Sequence, residues 1–329
     1  MTASDTTPAT PGRTAPLLEL SDVEVEYDGG VRAVAGVSID VRRGETLSIV
    51  GESGCGKSSL ARAIVHAPPP TNGSVRLDGH ELGDLSPAEL RATRPRIQMI
   101  FQDPVSSLNP RRTARQLVAE GPTIWGRTLA PASGVDDTLR KVGIDPEHLG
   151  DRRPHEFSGG QCQRISIARA IVLEPEVLVC DEPVSALDVS VQAQVLNLLR
   201  RLKAELGLTM VFIAHDLAVV KNISDRVAVM YLGKICEVGD VRTIYARPAH
   251  HYTAALLASV PEVHADDQTP PITGEVPSPA DPPSGCRFRT RCPRADERCA
   301  SEEPELRPTE ASDHLVACHY PVRADALSN

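Results

Sequence analysis

Aromatic residues are scarce in this chain: 4 Phe, 1 Trp and 5 Tyr occur among 329 residues. A positive net charge is also lacking, since the formal net charge is −9. Proteins that bind single-stranded nucleic acid stack bases on aromatic side chains within a positively charged groove. The scarcity of aromatic residues and the negative net charge therefore exclude nucleic acid as an expected partner.

Long apolar runs are absent as well. The longest, residues 209–214 and 254–260, reach six or seven residues, whereas a membrane-spanning helix needs about 20. Residues 1–16 are rich in Thr, Ala and Pro and lack the basic and hydrophobic regions of a signal peptide. We therefore expect residues 1–16 to form a solvated tail and the protein to act in the cytoplasm.

Short apolar segments that alternate with helical patterns predict an α/β protein with a mainly parallel sheet covered by helices. Residues 17–27 alternate between apolar and polar side chains, which is typical of a half-buried strand and predicts an antiparallel β portion at the N-terminus. The predicted organisation is a tail at 1–16, one large domain at 17–260 with a helical insertion at about 103–160, a Pro-rich linker at 261–285, a four-cysteine module at 286–320 and a tail at 321–329.

The segment GESGCGKS, residues 51–58, matches the phosphate loop G-x-x-x-x-G-K-[ST] between a predicted strand and a predicted helix. Its glycines let backbone N–H groups surround phosphate oxygens, its lysine reaches the outer phosphates, and its serine hydroxyl can bind Mg²⁺. Cys55 lies at the helix N-terminus, where a reactive thiolate is favoured, so we expect its alkylation to block nucleotide binding. The residues predicted to bind nucleotide here are Gly51, Ser53, Gly54, Cys55, Gly56, Lys57, Ser58 and Ser59.

A second part of such a site is the run VLVCDE, residues 177–182. An apolar strand places Asp181 at the edge of the sheet, where its carboxylate can hold Mg²⁺ together with Ser58. Glu182 then faces the γ-phosphate and can take a proton from the attacking water, a role worth about 10²–10⁴ in rate. The sequence therefore predicts Glu182 as the general base.

The segment FSGGQ, residues 157–161, opens a predicted helix. A hydroxyl and two glycine N–H groups at a helix N-terminus form a second anion site, which assigns Ser158, Gly159, Gly160 and Gln161 to nucleotide binding. Together with the phosphate loop, this segment resembles the signature of ABC-type ATPases, with Phe157 where the family usually has Leu.

The resemblance to ABC-type ATPases implies roles for four further residues. Gln102, in IFQDP, matches the glutamine that links the γ-phosphate and Mg²⁺ to the helical insertion. Asp188, in SALD, matches the loop that crosses to a partner subunit, and His215 matches the switch histidine. Tyr27 matches the aromatic residue that stacks on adenine. The implied fold is an α/β ABC-type P-loop ATPase core with an antiparallel β portion, a helical subdomain and a C-terminal cysteine module.

Three longer segments resemble the ATP-binding subunits of dipeptide/oligopeptide permeases: MIFQDPVSSLNPR at 99–111, DEPVSALDVSVQAQVLNLL at 181–199 and HHYTAALLASVP at 250–261. One departure is His251, where that family commonly has Pro. The resemblance implies an ATP-hydrolysing subunit of a peptide importer on the cytoplasmic face of the membrane. Its implied partners are a second homologous ATPase, two transmembrane permease subunits and an extracytoplasmic substrate-binding protein. A nickel or opine importer and a non-transport ABC ATPase are the alternatives.

Four of the 8 cysteines cluster near the C-terminus: Cys286, Cys292, Cys299 and Cys318. Four thiolates can ligate Zn²⁺ or an iron–sulfur cluster. The C-x₂-C pairs usual in zinc sites are absent, and several arginines surround the cysteines. The resemblance to the permease subunits implies a [4Fe–4S] cluster. A cluster is therefore expected, with Zn²⁺ or no metal as alternatives and His314 and His319 as substitute ligands. We expect the other cysteines, Cys162, Cys180 and Cys236, to be buried as small hydrophobic residues.

Overall fold

The computed structural model describes residues 15–127, 134–259, 274–311 and 313–322. The predicted tails and linker fall largely on residues 1–14, 260–273 and 323–329, which lie outside the described residues. The division of the chain into separate domains stays a prediction.

The N-terminal part forms a four-stranded antiparallel sheet in the order β2-β1-β4-β5. Apolar side chains such as Leu18 and Leu20, and then Val23 and Val25, point into the core with a period of two. A register shift separates the two pairs. The second strand pairs with the first along nearly its whole length. The four strands are β1 Pro16–Tyr27, β2 Val31–Arg42, β4 Asn72–Leu77 and β5 His80–Glu81.

The main sheet has eight strands in the order β11-β12-β10-β9-β3-β8-β7-β6. Strands β9, β3, β8, β7 and β6 run parallel, and their near-continuous apolar sequences are buried on both faces. One face packs against the antiparallel sheet and the helix after the phosphate loop, and the other face packs against several helices. The strands are β3 Thr46–Val50, β6 Ile97–Ile100, β7 Val177–Asp181, β8 Thr209–Ala214, β9 Arg226–Tyr231, β10 Lys234–Asp240, β11 Arg307–Pro308 and β12 Leu315–Val316.

Helices cover this sheet, and three of them belong to the predicted helical insertion. The helices are α1 Lys57–Ile64, α2 Pro87–Thr93, α3 Ala114–Trp125, α4 Val135–Lys141, α5 Pro146–Leu149, α6 Gly159–Ile171, α7 Val189–Leu206, α8 Leu217–Ile223, α9 Val241–Ala246, α10 His251–Ala258 and α11 Glu297–Ser301. In α7, Leu198 and Leu202 face the core with helical spacing, and Gly207 ends the helix at φ 65°. Where the resembling family has Pro, helix α10 begins at His251, and the His250 side chain caps it.

The C-terminal segment is attached to the main sheet. Strand β12 pairs with β10, and Phe288 packs in the same hydrophobic cluster as the core. His314 Nε2 lies 2.6 Å from Glu237 Oε1 in a buried pair. Of the helices in the described ranges, none combines the length and the apolar character needed to cross a membrane.

Candidate nucleotide-binding site

The phosphate loop lies between β3 and α1, as its sequence predicts. Gly51 and Gly56 adopt φ angles of 156° and 103°. A Cβ at Gly51 would lie 2.1 Å from the Met230 carbonyl oxygen, and one at Gly56 would lie 2.0 Å from that of Ala33. Both glycines are therefore required by close packing of the loop against neighbouring backbone.

Lys57 is 4% exposed and lies under the loop. Its Nζ donates hydrogen bonds to the carbonyl oxygens of Gly51, at 2.8 Å, and Glu52, at 2.9 Å. These contacts hold the ammonium group within the curve of the loop, where the outer phosphates of a nucleotide would lie.

The two residues predicted to hold Mg²⁺ are in direct contact. The Ser58 hydroxyl donates a hydrogen bond of 2.9 Å to Asp181 Oδ1 at the end of β7. Burial raises the pKa of Asp181, and the hydrogen bond from Ser58 opposes that shift. A hydroxyl and a carboxylate are the hard oxygen donors that Mg²⁺ prefers, so this pair fits the ion.

Glu182 follows Asp181 directly and is contacted by both other predicted catalytic residues. Gln102 Nε2 donates a hydrogen bond of 3.0 Å to Glu182 Oε2, and His215 Nδ1 lies 3.3 Å from the same oxygen. The three side chains come from the ends of neighbouring parallel strands, which explains why residues far apart in sequence meet here.

Most of the predicted residues line a single cleft that opens above the phosphate loop. Tyr27, at the end of β1, is 41% exposed, and its hydroxyl donates a hydrogen bond of 3.1 Å to Ser59 Oγ. The predicted residues along this cleft are Tyr27, Ser53, Gly54, Gly56, Lys57, Ser58, Ser59, Gln102, Glu182 and His215.

Three residues that the motifs did not reveal also line the cleft: Val31, Ala33 and Pro279. Val31 and Ala33 lie in the first residues of β2, and none of the motifs covers them. Pro279 belongs to the predicted linker, and no sequence signal connects it with the cleft.

The structure contradicts the predicted reactivity of Cys55. Its side chain is 2% exposed, and burial raises the pKa of the thiol more than the nearby Lys57 ammonium lowers it. The expected reactive thiolate is therefore wrong, because the side chain is buried in the core. The effect of its alkylation on nucleotide binding stays a prediction. By contrast, Cys162, Cys180 and Cys236 are buried, as predicted.

The signature residues lie apart from this cleft. Ser158 caps α6, with its Oγ accepting a hydrogen bond from the Gln161 N–H at 3.3 Å, and Ser158 and Gly159 are exposed. Asp188 likewise caps α7. Among the residues that the structure describes, Ser158, Gly159, Gly160, Gln161 and Asp188 are not part of the cleft lining.

The four C-terminal cysteines, Cys286, Cys292, Cys299 and Cys318, line one small cavity. Burial raises the pKa of Cys318 to about 12 and raises that of Cys286 and Cys292 above the usual value. Within the described ranges, however, no group of three or more His, Cys, Asp or Glu side chains is arranged to hold a metal ion.

The two histidines named as substitute ligands differ in position. His314 is wrong as a ligand, because its imidazole is buried against Glu237 outside this cavity. His319 borders the cavity, and its Nε2 lies 3.0 Å from the Glu302 carbonyl oxygen, a contact that leaves Nδ1 for ligation.

Comparisons with known proteins agree with the motifs. The family model for ABC transporters matches residues 34–185, and the model for the C-terminal region of oligopeptide/dipeptide transporters matches residues 236–299. The chain is 50% identical over 322 residues to the oligopeptide transport ATP-binding protein OppF of Escherichia coli, with 92% of this chain and 95% of OppF covered. It is 48% identical over 320 residues to the oligopeptide transport ATP-binding protein AppF of Bacillus subtilis, with 92% and 97% covered.

Solved structures show the same fold. One is cbiO1 of Clostridium perfringens, part of the ABC transporter complex cbiONQ, with 31% identity and a TM-score of 0.62 over 70% of this chain and 91% of cbiO1. Another is the dimeric ATP-binding cassette MJ0796 bound to ADP and Pi, with 30% identity and a TM-score of 0.61 over 68% of this chain and 99% of MJ0796. The resemblance read from the motifs is therefore confirmed: the chain belongs to the ABC transporter family of ATPases, among the oligopeptide transport ATP-binding proteins.

Proposed function

We propose that this chain hydrolyses ATP to drive the uptake of di- and oligopeptides across the cytoplasmic membrane. The observation that carries the proposal is the position of Glu182, whose carboxylate contacts Gln102 and His215 beside the phosphate loop. Peptide as the cargo is supported by relatives named for oligopeptide transport and by the matching C-terminal region.

ATP binding uses the residues of the cleft. Backbone N–H groups of the loop and Lys57 hold the phosphates, and the exposed ring of Tyr27 stacks on adenine, a contact worth about 1–3 kcal/mol. Ser58, Asp181 and Gln102 would hold Mg²⁺, which supplies positive charge against the phosphate oxygens when bound.

Hydrolysis then depends on Glu182. A water oxygen forms a bond to the γ-phosphorus, the bond from that phosphorus to the β,γ-bridging oxygen breaks, and the water proton goes to the Glu182 carboxylate. ADP and inorganic phosphate are the products. Gln102 and His215 orient the carboxylate, and His215 also holds the phosphate in line.

A second, homologous ATPase subunit completes the site. The signature residues Ser158 and Gly159, which are exposed, and Gly160 and Gln161, which are partly buried, do not line the cleft of their own chain in the part of the structure described. This separation supports the proposal that they close over the γ-phosphate bound by the partner, with Asp188 on the loop that crosses the interface. ATP binding then closes the pair, and hydrolysis reopens it.

Two transmembrane permease subunits dock on the groove between the main sheet and the helical insertion. Phe101, Ile124 and Trp125 line this groove together with Gln102, and Phe101 and Ile124 are strongly exposed for apolar residues. An exposed apolar groove of this kind is typical of a protein contact. Because Gln102 lines both the groove and the nucleotide cleft, closure of the pair can be transmitted to the permease. An extracytoplasmic substrate-binding protein delivers the peptide.

We propose that the four C-terminal thiols would hold a [4Fe–4S] cluster, with Zn²⁺ as the alternative, although the described residues do not present them as a formed metal site. All four border one cavity, and Arg289 and Arg294 border it too, which suits a group of negative charge. The cluster would join distant parts of the segment through bonds to sulfur, a structural role. Anaerobic purification followed by iron, sulfide and zinc analysis tests the assignment, since stoichiometric zinc or no metal would contradict the cluster.

The partners are tested by mass spectrometry of the proteins that co-purify with this tagged chain from detergent-solubilised membranes. We expect a second ABC ATPase and two proteins with several membrane spans. Recovery of ribosomes or DNA-repair proteins instead would contradict the transport function and leave ATP hydrolysis standing.

A further inference from the structure

Glu52, the second residue of the phosphate loop, is held by residues from the C-terminal third of the chain. Its backbone N–H donates a hydrogen bond of 2.9 Å to the Tyr252 hydroxyl. Its carboxylate accepts two hydrogen bonds from Arg291, from Nη1 at 2.7 Å and from Nη2 at 3.0 Å. The Arg291 side chain is 5% exposed. A bidentate pair with a buried guanidinium fixes geometry far better than an exposed ion pair does.

Arg291 is itself held in place by the loop of residues 286–292, which joins the first two C-terminal cysteines. Phe288 in this loop is 2% exposed, and its ring packs edge-on against Tyr231 with centroids 5.3 Å apart. The Arg291 guanidinium lies 5.8 Å from the centre of the Tyr231 ring. Cys286 and Cys292, at the two ends of the loop, border the cysteine cavity. The position of Arg291 therefore depends on the packing of this loop.

On its other side, Glu52 contacts the lysine of the phosphate loop. Its carbonyl oxygen accepts the hydrogen bond from Lys57 Nζ. An unbroken series of contacts thus runs from the loop 286–292 through Arg291 and Glu52 to Lys57.

The ion pair between Arg291 and Glu52 has a second effect, which comes from its charges. A lone carboxylate in a loop that binds a polyanion would repel the phosphates, and this repulsion is strong where water is partly excluded. Arg291 places a positive charge directly on the Glu52 carboxylate. Removal of Arg291 would leave the Glu52 charge unpaired in the loop that binds the phosphates.

We propose that Arg291 is a positioning residue for the nucleotide site. It holds Glu52, and through Glu52 the phosphate loop, in the conformation that binds ATP, and it neutralises the Glu52 carboxylate. The loop 286–292 is thereby coupled to nucleotide affinity. This inference rests on the proposed function as an ATPase.

The test measures the affinity of the full-length protein for Mg–ADP by calorimetry. Arg291→Gln weakens binding about tenfold, within the usual range of coupling between distant sites. Arg291→Lys keeps the charge but not the bidentate geometry, so its affinity for Mg–ADP lies between those of Arg291→Gln and wild type. The matched control is Arg298→Gln in the same segment, whose exposed pair with Glu302 does not touch the phosphate loop, and it binds as wild type.

A second substitution separates this role from a general loss of structure. Adding Glu52→Gln to Arg291→Gln removes the unpaired charge, so the double variant binds Mg–ADP more tightly than Arg291→Gln alone. In the assembled transporter, Arg291→Gln raises KM for ATP and leaves kcat unchanged.

The inference is overturned if Arg291→Gln binds as tightly as Arg298→Gln, or if Glu52→Gln brings no recovery in the Arg291→Gln background. Thermal unfolding without nucleotide checks the fold. If Arg291→Gln does not fold, equal affinities of Arg291→Lys and Arg298→Lys overturn the inference instead. If the wild type binds nucleotide and the variants give these results, only this inference is contradicted. If the wild type binds no nucleotide, the proposed ATPase function itself is contradicted.

Discussion

Glu182 adopts a backbone conformation that glutamate rarely takes, with φ at 45°. Such a conformation costs about 1–3 kcal/mol and is maintained by surrounding contacts. Here the Glu182 N–H donates to the Ile213 carbonyl oxygen at 3.1 Å, and its own carbonyl oxygen accepts a bond from the Ser185 hydroxyl at 3.0 Å. These bonds keep the carboxylate in the cleft between Gln102 and His215.

Replacement of this base tests its role directly. Glu182→Gln keeps the size of the side chain but removes the proton acceptor, so ATP binding is retained and hydrolysis falls at least ~100-fold. Steady-state ATPase assays and nucleotide titration of the assembled complex measure both quantities. Turnover near that of the wild type would remove Glu182 from the role of base.

His250 makes the stability of the fold depend on pH. Its imidazole is 2% exposed, and Nδ1 accepts the Tyr252 N–H that begins α10. Burial lowers the pKa of His250 from 6.5 to about 4. Only the unfolded chain binds this proton between those pH values, so stability is complete above pH 6.5 and has fallen by about 3 kcal/mol at pH 4.

Asparagine at this position can cap the helix without titrating. His250→Asn therefore loses less free energy of unfolding between pH 6.5 and pH 4 than wild type does, as measured by urea unfolding at several pH values. His155→Asn, at an exposed histidine, is the control and keeps the wild-type pH dependence. Equal pH dependence in both variants would contradict the role of His250.

At the scale of elements, α6 begins with a reciprocal pair of hydrogen bonds. Ser158 Oγ accepts from the Gln161 N–H, and Gln161 Oε1 accepts from the Ser158 N–H at 3.0 Å. Thr113 and Gln116 form the same capping box at the start of α3. The two helices thus begin with the same local chemistry, but only α6 carries the signature motif.

Because α3 and α6 share the same capping box, the structural effect of losing the cap can be separated from a catalytic effect of Ser158. Ser158→Ala and Thr113→Ala each lower the free energy of unfolding by about 1 kcal/mol through loss of the cap. We expect only Ser158→Ala to impair ATP hydrolysis at the partner's site of the assembled complex, since we propose that its hydroxyl acts on the ATP bound there. If the two variants hydrolyse ATP at similar rates, the role of the signature across the interface is wrong.

Most elements could be predicted because their signals are local. The apolar run of β3 and the glycines after it specify strand, loop and helix within a few residues, and the spacing of Leu198 and Leu202 specifies α7. The burial of Cys55 could not be predicted. Its place at a helix N-terminus indicates the charges near the thiol, but not the direction in which the side chain points.

At the scale of the whole molecule, the unpredicted features are contacts between distant segments. Arg291 and Glu52 are 239 positions apart, and His314 and Glu237 are 77 apart. No spacing rule relates such residues. The pairing of β12 with β10 and β11 could not be predicted either, because a two-residue strand has no periodicity.

The central claim is that ATP hydrolysis by this chain drives peptide uptake. The most direct measurement is accumulation of a labelled oligopeptide in proteoliposomes that contain the complete transporter, with ATP supplied on the side of this subunit. We predict uptake that requires ATP, the substrate-binding protein and Glu182, and that Glu182→Gln abolishes. ATP hydrolysis without peptide accumulation, or accumulation of nickel or an opine instead, would contradict the account.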